Sequence, residues 1–370
     1  MNTEQMKINR VIISGGGSGG HIFPAVAIAD EIKRRNPEVE ILFVGANGKM
    51  EMERVPNAGY KIIGLDIVGF QRRLTFSNFL LPFKIVASLL NAYKIIKNFK
   101  PQVVIGVGGY ASGPTLQAAT FLKIPTLVQE QNSFPGKTNK ILSNKVTKLC
   151  TAYDGLEKFF PKDKIVLTGN PVRKTMVEVD GKREDAFQFY GLDSSKKTIL
   201  VIGGSLGAKT LNESVLNYLN DFQKEEVQIL WQGGKFYFES LSNQLKNQDL
   251  PNVKMVQFID RMDFAYALAD VIISRAGAIS VSELCLVKKP VILVPSPNVA
   301  EDHQTKNAMA LVNSNAALLV KDNVAKQELI PTAFDLLKNE KLQRELSIEI
   351  EKLAKPNATA DIVNEIQKII

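Results

Sequence analysis

The sequence predicts an α/β protein built from two doubly wound, Rossmann-like domains that face a cleft. Three observations carry this expectation. Short β-branched runs alternate with helical patterns, the signature of a mostly parallel sheet covered on both faces. A strand, a glycine loop and a helix stand at Val11–Glu31 (VIISGGGSGGHIFPAVAIADE), and the device returns half a chain later at Thr198–Ile202 followed by Gly203-Gly204-Ser205-Leu206-Gly207-Ala208. Between them the pattern breaks near Thr168–Arg173 (TGNPVR), which places a junction near residue 170.

In the first half, strands are expected at Val11–Ser14, Ile41–Val44, Lys61–Leu65, Val103–Ile105, Thr126–Gln129 and Val146–Cys150. After the first of these, Val26, Ile28, Ala29 and Ile32 recur at helical spacing behind Pro24, a residue tolerated in a helix's first turn. A helix amino end there presents N–H groups that attract anions. Gly15, Gly17 and Gly20 satisfy G-x-G-x-x-G, but Ile41–Val44 runs into Gly45, Ala46 and Asn47 without the acidic residue a dinucleotide site expects. A P-loop fails for want of G-K-[ST]. Diphosphate or sugar binding, or a purely structural turn, remain for this loop. A second glycine loop, Gly106 to Pro114, follows the fourth strand, and Gln129-Glu130-Gln131-Asn132 stands at the carboxyl end of the fifth, where open α/β sheets bind ligands.

Segment 70–99 differs from its surroundings. Phe70, Leu74, Phe76, Phe79, Leu80, Leu81 and Phe83 lie among Arg72, Arg73 and Lys84, and Val86, Leu89, Leu90, Tyr93 and Ile96 make one apolar helical face expected to be core. Between Lys61 and Lys100 seven basic residues oppose Asp66 alone, within a chain of net charge +8. An anionic membrane surface suits this rim; a core helix with a solvated basic loop is the alternative. Nucleic acid is not expected, since no helix-turn-helix, RNP or zinc spacing is present. Two cysteines, Cys150 and Cys285, make no disulfide framework and fit a reducing cytosol. The opening MNTEQMKINR lacks the apolar core of a signal peptide, and no apolar run is long enough to span a bilayer.

In the second half, strands are expected near Ile229–Gln232, Lys254–Phe258, Val271–Ser274, Val291–Val294 and Ala317–Val320, with a helical tail from about Leu329 that Pro356 interrupts. Ser274 to Glu283 (SRAGAISVSE) leaves a strand, passes Gly277 and enters a helix. Glu283, a turn and a half inside, is able to hold two vicinal hydroxyls of a ribose, or to serve as a carboxylate favoured by the helix dipole. Pro295 to Asn307 is a polar loop holding His303 and Gln304, so both histidines of the chain, His21 and His303, are expected in loops at strand ends.

The motifs GGGSGGHIFPA (15–25), GVGGYASGP (106–114), EQNSFPG (130–136), GNPVR (169–173), GGSLGA (203–208), SRAGAISVSE (274–283) and EDHQTKNA (301–308) together resemble the MurG family. That family holds the N-acetylglucosaminyltransferases that turn lipid I into lipid II in bacterial peptidoglycan synthesis. Gln129 stands where many members have His, and Leu206 where many have Gln. The resemblance implies the glycosyltransferase-B fold, with an acceptor and membrane-facing domain at 1–168, a UDP-GlcNAc domain at 169–350, and a final helix, 351–370, that packs back on the first domain. It implies donor contacts from Ser18, Gly19 and Gly20 near the sugar and from Asn132, Arg173 and Ser205. Ile259 would meet the uracil, and Ala278, Ile279 and Ser280, with Val281 and Ser282 behind them, would face the diphosphate. Glu283 would hold the ribose and Gln304 the GlcNAc hydroxyls.

The implied reaction is attack by the MurNAc 4-hydroxyl of lipid I (undecaprenyl-pyrophosphoryl-MurNAc-pentapeptide) on C1 of GlcNAc, with inversion and loss of UDP. It would take place at the cytoplasmic face of the membrane, the enzyme being peripheral. No two aspartates stand two apart, so the D-x-D that holds a metal in many transferases is missing, and neither metal nor other cofactor is expected. His21 is the candidate base, with Glu130 the alternative. A nucleotide-dependent oxidoreductase and a basic membrane- or nucleic-acid-binding protein are the competing readings.

Overall fold

A computed structural model describes residues 7–67, 81–299 and 302–370. The chain forms two compact units, Met1–Val172 with Lys355–Ile370 and Arg173–Ala354.

The first unit runs β1 (Arg10–Ser14), α1 (Gly19–Arg35), β2 (Glu40–Ala46), α2 (Glu51–Asn57), β3 (Lys61–Leu65), α3 (Leu81–Phe99), β4 (Val103–Gly106) and α4 (Ser112–Phe121). It continues with β5 (Thr126–Glu130), α5 (Lys137–Leu142), β6 (Lys148–Thr151) and β7 (Ile165–Leu167). All strands are parallel, in the order β3-β2-β1-β4-β5-β6-β7. Successive side chains point to opposite faces of a strand. Val11 and Ile13 accordingly enter one core with Val103 and Ile105, and Ile12 enters the other with Val104.

The second unit opens with α6 (Lys174–Val177) and α7 (Arg183–Tyr190), then β8 (Lys197–Ile202), α8 (Lys209–Leu216), α9 (Leu219–Lys224), β9 (Val227–Gln232) and α10 (Phe238–Leu245). Next come β10 (Val253–Val256), α11 (Met262–Leu268), β11 (Val271–Ser274), α12 (Ala278–Val287), β12 (Val291–Leu293) and α13 (His303–Val312). It ends with β13 (Leu318–Leu319), α14 (Ala325–Lys338) and α15 (Glu340–Lys352). Its parallel sheet has the order β10-β9-β8-β11-β12-β13. Both sheets are doubly wound, with a topological switch between β1 and β4 in the first and between β8 and β11 in the second. Three of the glycine loops and SRAGAIS leave those four strands, so the sequence's unusual turns stand where such sheets bind ligands.

The last helix, α16 (Ala358–Ile369), is part of the first unit. Ile362, Val363 and Ile366 are buried in the core beside β1 and α1. The Arg35 guanidinium donates to Asn364 Oδ1 and Gln367 Oε1, both at 2.8 Å, and to the Ala360 carbonyl at 3.0 Å.

Four local expectations are corrected. The helix α1 starts at Gly19, so Pro24 sits in its second turn and deprives the exposed Gly20 carbonyl of an intrahelical donor. His21 and His303 lie in the first turns of α1 and α13, not in loops. The buried line of α3 is Ser88, Ala92 and Ile96, whereas Val86 and Leu90 are 54% and 56% exposed. Small residues let α3 approach α4 closely and turn its larger apolar side chains outward. Strand β7 was not expected, because three residues carry too little pattern to read. Phe70, Arg72, Arg73, Leu74, Phe76, Phe79 and Leu80 lie outside the described residues.

Candidate active site

In the first unit, Ser18 caps α1 with extended backbone, and its carbonyl accepts from His21 N and Ile22 N at 3.1 Å. The Ser18 hydroxyl makes no cap hydrogen bond, and Ser18 and Gly20 are exposed while Gly19 is half-buried. Beneath this loop lies Glu51, whose place there has no local signal in the sequence. Its carboxylate, 1% exposed, accepts from Gly17 N at 2.8 Å and from Ala46 N at 3.0 Å. A Cβ on Gly16 would fall 2.1 Å from that carboxylate, and one on Gly45 would fall 2.6 Å from Glu51 Cγ. Both positions must therefore be glycine for the carboxylate to be held there. The loop spends an N–H on an internal anion, which weighs against an external phosphate at Gly17.

His21 Nδ1 lies 3.1 Å from Gln131 Oε1. Burial pulls its pKa below the usual imidazole range, against the opposing pull of Glu130, Gln131, the Val107 carbonyl and Glu51. Glu130, the alternative base, is engaged by its own loop. Its carboxylate is 1% exposed and accepts from Asn132 N (3.0 Å), Asn132 Nδ2 (3.3 Å), Gly136 N (3.1 Å) and Asn139 Nδ2 (2.8 Å). It is a strut for the loop after β5, and it ties down Asn132.

In the second unit, Gly277 caps α12, and the first turn, Ala278 to Ser280, contains no acidic side chain and is half-buried. Val281 is core and Ser282 Oγ donates back to the Ala278 carbonyl at 3.1 Å. Glu283 Oε2 accepts from the buried Tyr266 hydroxyl at 3.0 Å. Burial raises the Glu283 carboxyl to about 7, partly offset by the Tyr266 hydrogen bond and by Arg173. Tyr266 had no sequence signal, since its partner is known only from the fold.

Ser205 is exposed in the loop after β8, and its carbonyl accepts from Lys235 N at 3.0 Å. Ile259 is 1% exposed with its side chain in the core, so a base beside it meets main chain rather than side chain. Gln304 Oε1 accepts from Ser296 N at 2.8 Å. Arg275, also unanticipated, donates to the Val294 and Pro295 carbonyls and pairs with Asp322 at 2.5 Å, fixing the turn that leads into α12. Within the second unit, then, Arg173, Tyr266, Glu283 and the α12 amino end belong to one constellation; His21, Glu51 and Gln131 form another in the first unit.

Two doubly wound sheets with glycine turns at both switch points define the two-domain α/β class of glycosyltransferase-B architecture. Residues 11–151 match the glycosyltransferase family 28 N-terminal domain and residues 198–366 its C-terminal domain. A Flavobacterium psychrophilum relative is 53% identical over 99% of both chains, and a Phocaeicola vulgatus relative 55% identical over 97% of this chain and 96% of its own. Each is named UDP-N-acetylglucosamine–N-acetylmuramyl-(pentapeptide) pyrophosphoryl-undecaprenol N-acetylglucosamine transferase. The crystal structure of Acinetobacter baumannii MurG is 31% identical with a TM-score of 0.75, covering 97% of this chain and 99% of that one. A UDP-GlcNAc 2-epimerase from Neisseria meningitidis, 16% identical with a TM-score of 0.69 over 98% and 100% of the two chains, shares the fold. The chain belongs to glycosyltransferase family 28, and within it to the MurG family that its motifs resemble.

The position of Glu283 gives a pH prediction. Its folded pKa is raised, so this group stabilises the folded chain below its ordinary pKa of 4.5, and that contribution is lost as pH rises through about 7. A ribose that donates hydroxyl hydrogens favours the ionised carboxylate. Affinity for UDP-GlcNAc should therefore weaken as pH falls below about 7, by up to roughly tenfold per unit. Calorimetric titration should find this slope in the native protein and lose it in Glu283→Gln.

Proposed function

We propose that the protein transfers GlcNAc from UDP-GlcNAc to the 4-hydroxyl of MurNAc in lipid I, giving lipid II, with inversion and without a metal. The observation that carries this is full-length identity above 50% to transferases of that name. The second unit supplies the donor site. The α12 amino end at Ala278–Ser280, with Arg173 and Ser205, takes the diphosphate; Glu283 takes the ribose; and Gln304 takes GlcNAc hydroxyls. Main-chain N–H groups already oriented in the resting protein stabilise the charge that grows on departing UDP, the role a metal fills elsewhere. The first unit supplies the acceptor side. His21 takes the proton of the attacking hydroxyl, and its lowered pKa keeps it neutral and ready to do so. Ser18, Gly19 and Gly20 line the transferred sugar, and Asn132 is held near it by Glu130.

Turnover of UDP-GlcNAc with a short-chain lipid I analogue should yield the β-linked disaccharide and persist in EDTA. No product, or activity that returns only with Mg²⁺ or Mn²⁺, contradicts the proposal. In the same assay His21→Ala should lower kcat by ~10²-fold or more and leave UDP affinity nearly unchanged. A change confined to the acceptor KM makes His21 a ligand of the lipid diphosphate instead.

The acceptor's polyprenyl chain stays in a bilayer, and among the described residues no helix is long and apolar enough to cross one. We assign peripheral membrane contact to the outward face of α3, where Ile85, Val86 and Leu90 are at least half exposed beside Lys84 and Lys94. Such side chains contribute roughly 1.5–3 kcal/mol each when fully buried, and each basic residue about 1 kcal/mol on an anionic leaflet. Ile85→Ser with Leu90→Ser should weaken binding to anionic vesicles at least tenfold and spare turnover of a soluble acceptor. Unchanged vesicle binding places the membrane face elsewhere.

A further inference from the structure

His21 is held by a buried chain of amides at the carboxyl end of β5. Gln131, 1% exposed, directs its Nε2 to the Val107 carbonyl at 2.8 Å and to the Gln129 carbonyl at 3.1 Å, and also contacts Gln129 Oε1. Gln129, fully buried, donates through Nε2 to Asn170 Oδ1 at 3.0 Å, and Asn170 Nδ2 returns a hydrogen bond to the Gln131 carbonyl at 3.0 Å. Every link stays within the first unit.

This network removes the usual ambiguity in which way a glutamine amide faces. Main-chain carbonyls only accept. Reversing the Gln131 amide would set its oxygen against two carbonyl oxygens and would leave both without its donor. Oε1 therefore faces His21 Nδ1, and since an amide oxygen only accepts, Nδ1 must carry the hydrogen. A neutral imidazole with hydrogen on Nδ1 has its lone pair on Nε2. The ring itself is packed against Gly108, where a Cβ would fall 2.7 Å from His21 Cε1.

We infer that Gln131 is a positioning residue that locks His21 in the Nδ1–H tautomer and so makes Nε2 the atom that receives the acceptor's proton. This rests on the reading of His21 as the base. In the step, the hydroxyl O–H bond breaks and its proton passes to Nε2. The oxygen forms its bond to C1 of GlcNAc, and the C1–O bond to the diphosphate breaks with its electron pair leaving on UDP. The imidazolium then holds its second hydrogen against Gln131 Oε1, with the Glu130 and Glu51 carboxylates the charged groups facing it.

The chain has two histidines, so ¹⁵N-histidine labelling of the full-length protein gives a readable spectrum, and His21→Asn assigns the signals. Above the His21 pKa, Nδ1 should show a pyrrole-type shift and Nε2 a pyridine-type shift. Gln131→Met should give a mixture of tautomers, lower kcat about tenfold, and leave the UDP-GlcNAc KM within about twofold, because tautomer selection acts on chemistry rather than on donor binding. Gln131→Glu keeps an acceptor at Nδ1 and adds a charge that favours imidazolium. It should retain the tautomer and move the acidic limb of the kcat–pH profile upward by about one unit or more.

Hydrogen on Nε2 in the native protein overturns the inference, as does a single Nδ1–H tautomer that survives in Gln131→Met. Should Gln131→Met fail to fold, the native spectrum and the Gln131→Glu profile still decide it. The expected tautomer together with unchanged kcat in His21→Asn would overturn the base assignment and leave the Gln131 contact standing.

Discussion

A buried main-chain N–H can be given to one anion at a time, and the division of labour in this protein follows from where those groups are given. Under the first glycine loop, Glu51 accepts the Gly17 N–H from within the fold. At the start of α12 the cap is Gly277 and the first turn has no acidic side chain. Two loops that look alike in sequence therefore differ in charge. The first is organised around an internal carboxylate, and the first turn of the second carries no acidic side chain of its own. Charge-assisted hydrogen bonds of this kind contribute roughly 1.5–3 kcal/mol each, enough to decide which loop accepts a diphosphate.

His21 and Glu283, one in each unit, both have shifted pKa values. Desolvation lowers the His21 pKa against the pull of Glu130 and Glu51, so the neutral imidazole is favoured. Glu283 is packed against Tyr266, with Arg173 too weakly placed to offset its burial, and sits near pH 7 until something supplies hydrogen-bond donors. In the proposed mechanism one unit supplies the proton acceptor and the other a carboxyl that the bound ribose ionises. Those are the properties required for moving a sugar from a nucleotide to a hydroxyl.

Most of the architecture was legible because β-branched runs that end in glycine are local signals. Lys61–Leu65 and Val271–Ser274 are strands over those same residues, and the two-domain α/β expectation from the repeated glycine device holds. What could not be read depends on contacts between distant residues. Glu51 looks like any first-turn acid of a helix until it is seen wedged against Gly16 and Gly45. Glu130 looks like a free base until Gly136 and Asn139 close on it. The apolar face of α3 was read from periodicity alone, which does not reveal that Ser88 and Ala92 are buried and Val86 and Leu90 exposed.

The most direct test of this account is amide hydrogen exchange on the full chain with and without UDP, which carries the diphosphate but no transferred sugar. Slowed exchange at Ala278, Ile279 and Ser280, with Gly17 unchanged, is the predicted result. Protection confined to residues 15–18, with none in the first turn of α12, would contradict it and move the diphosphate to the other unit.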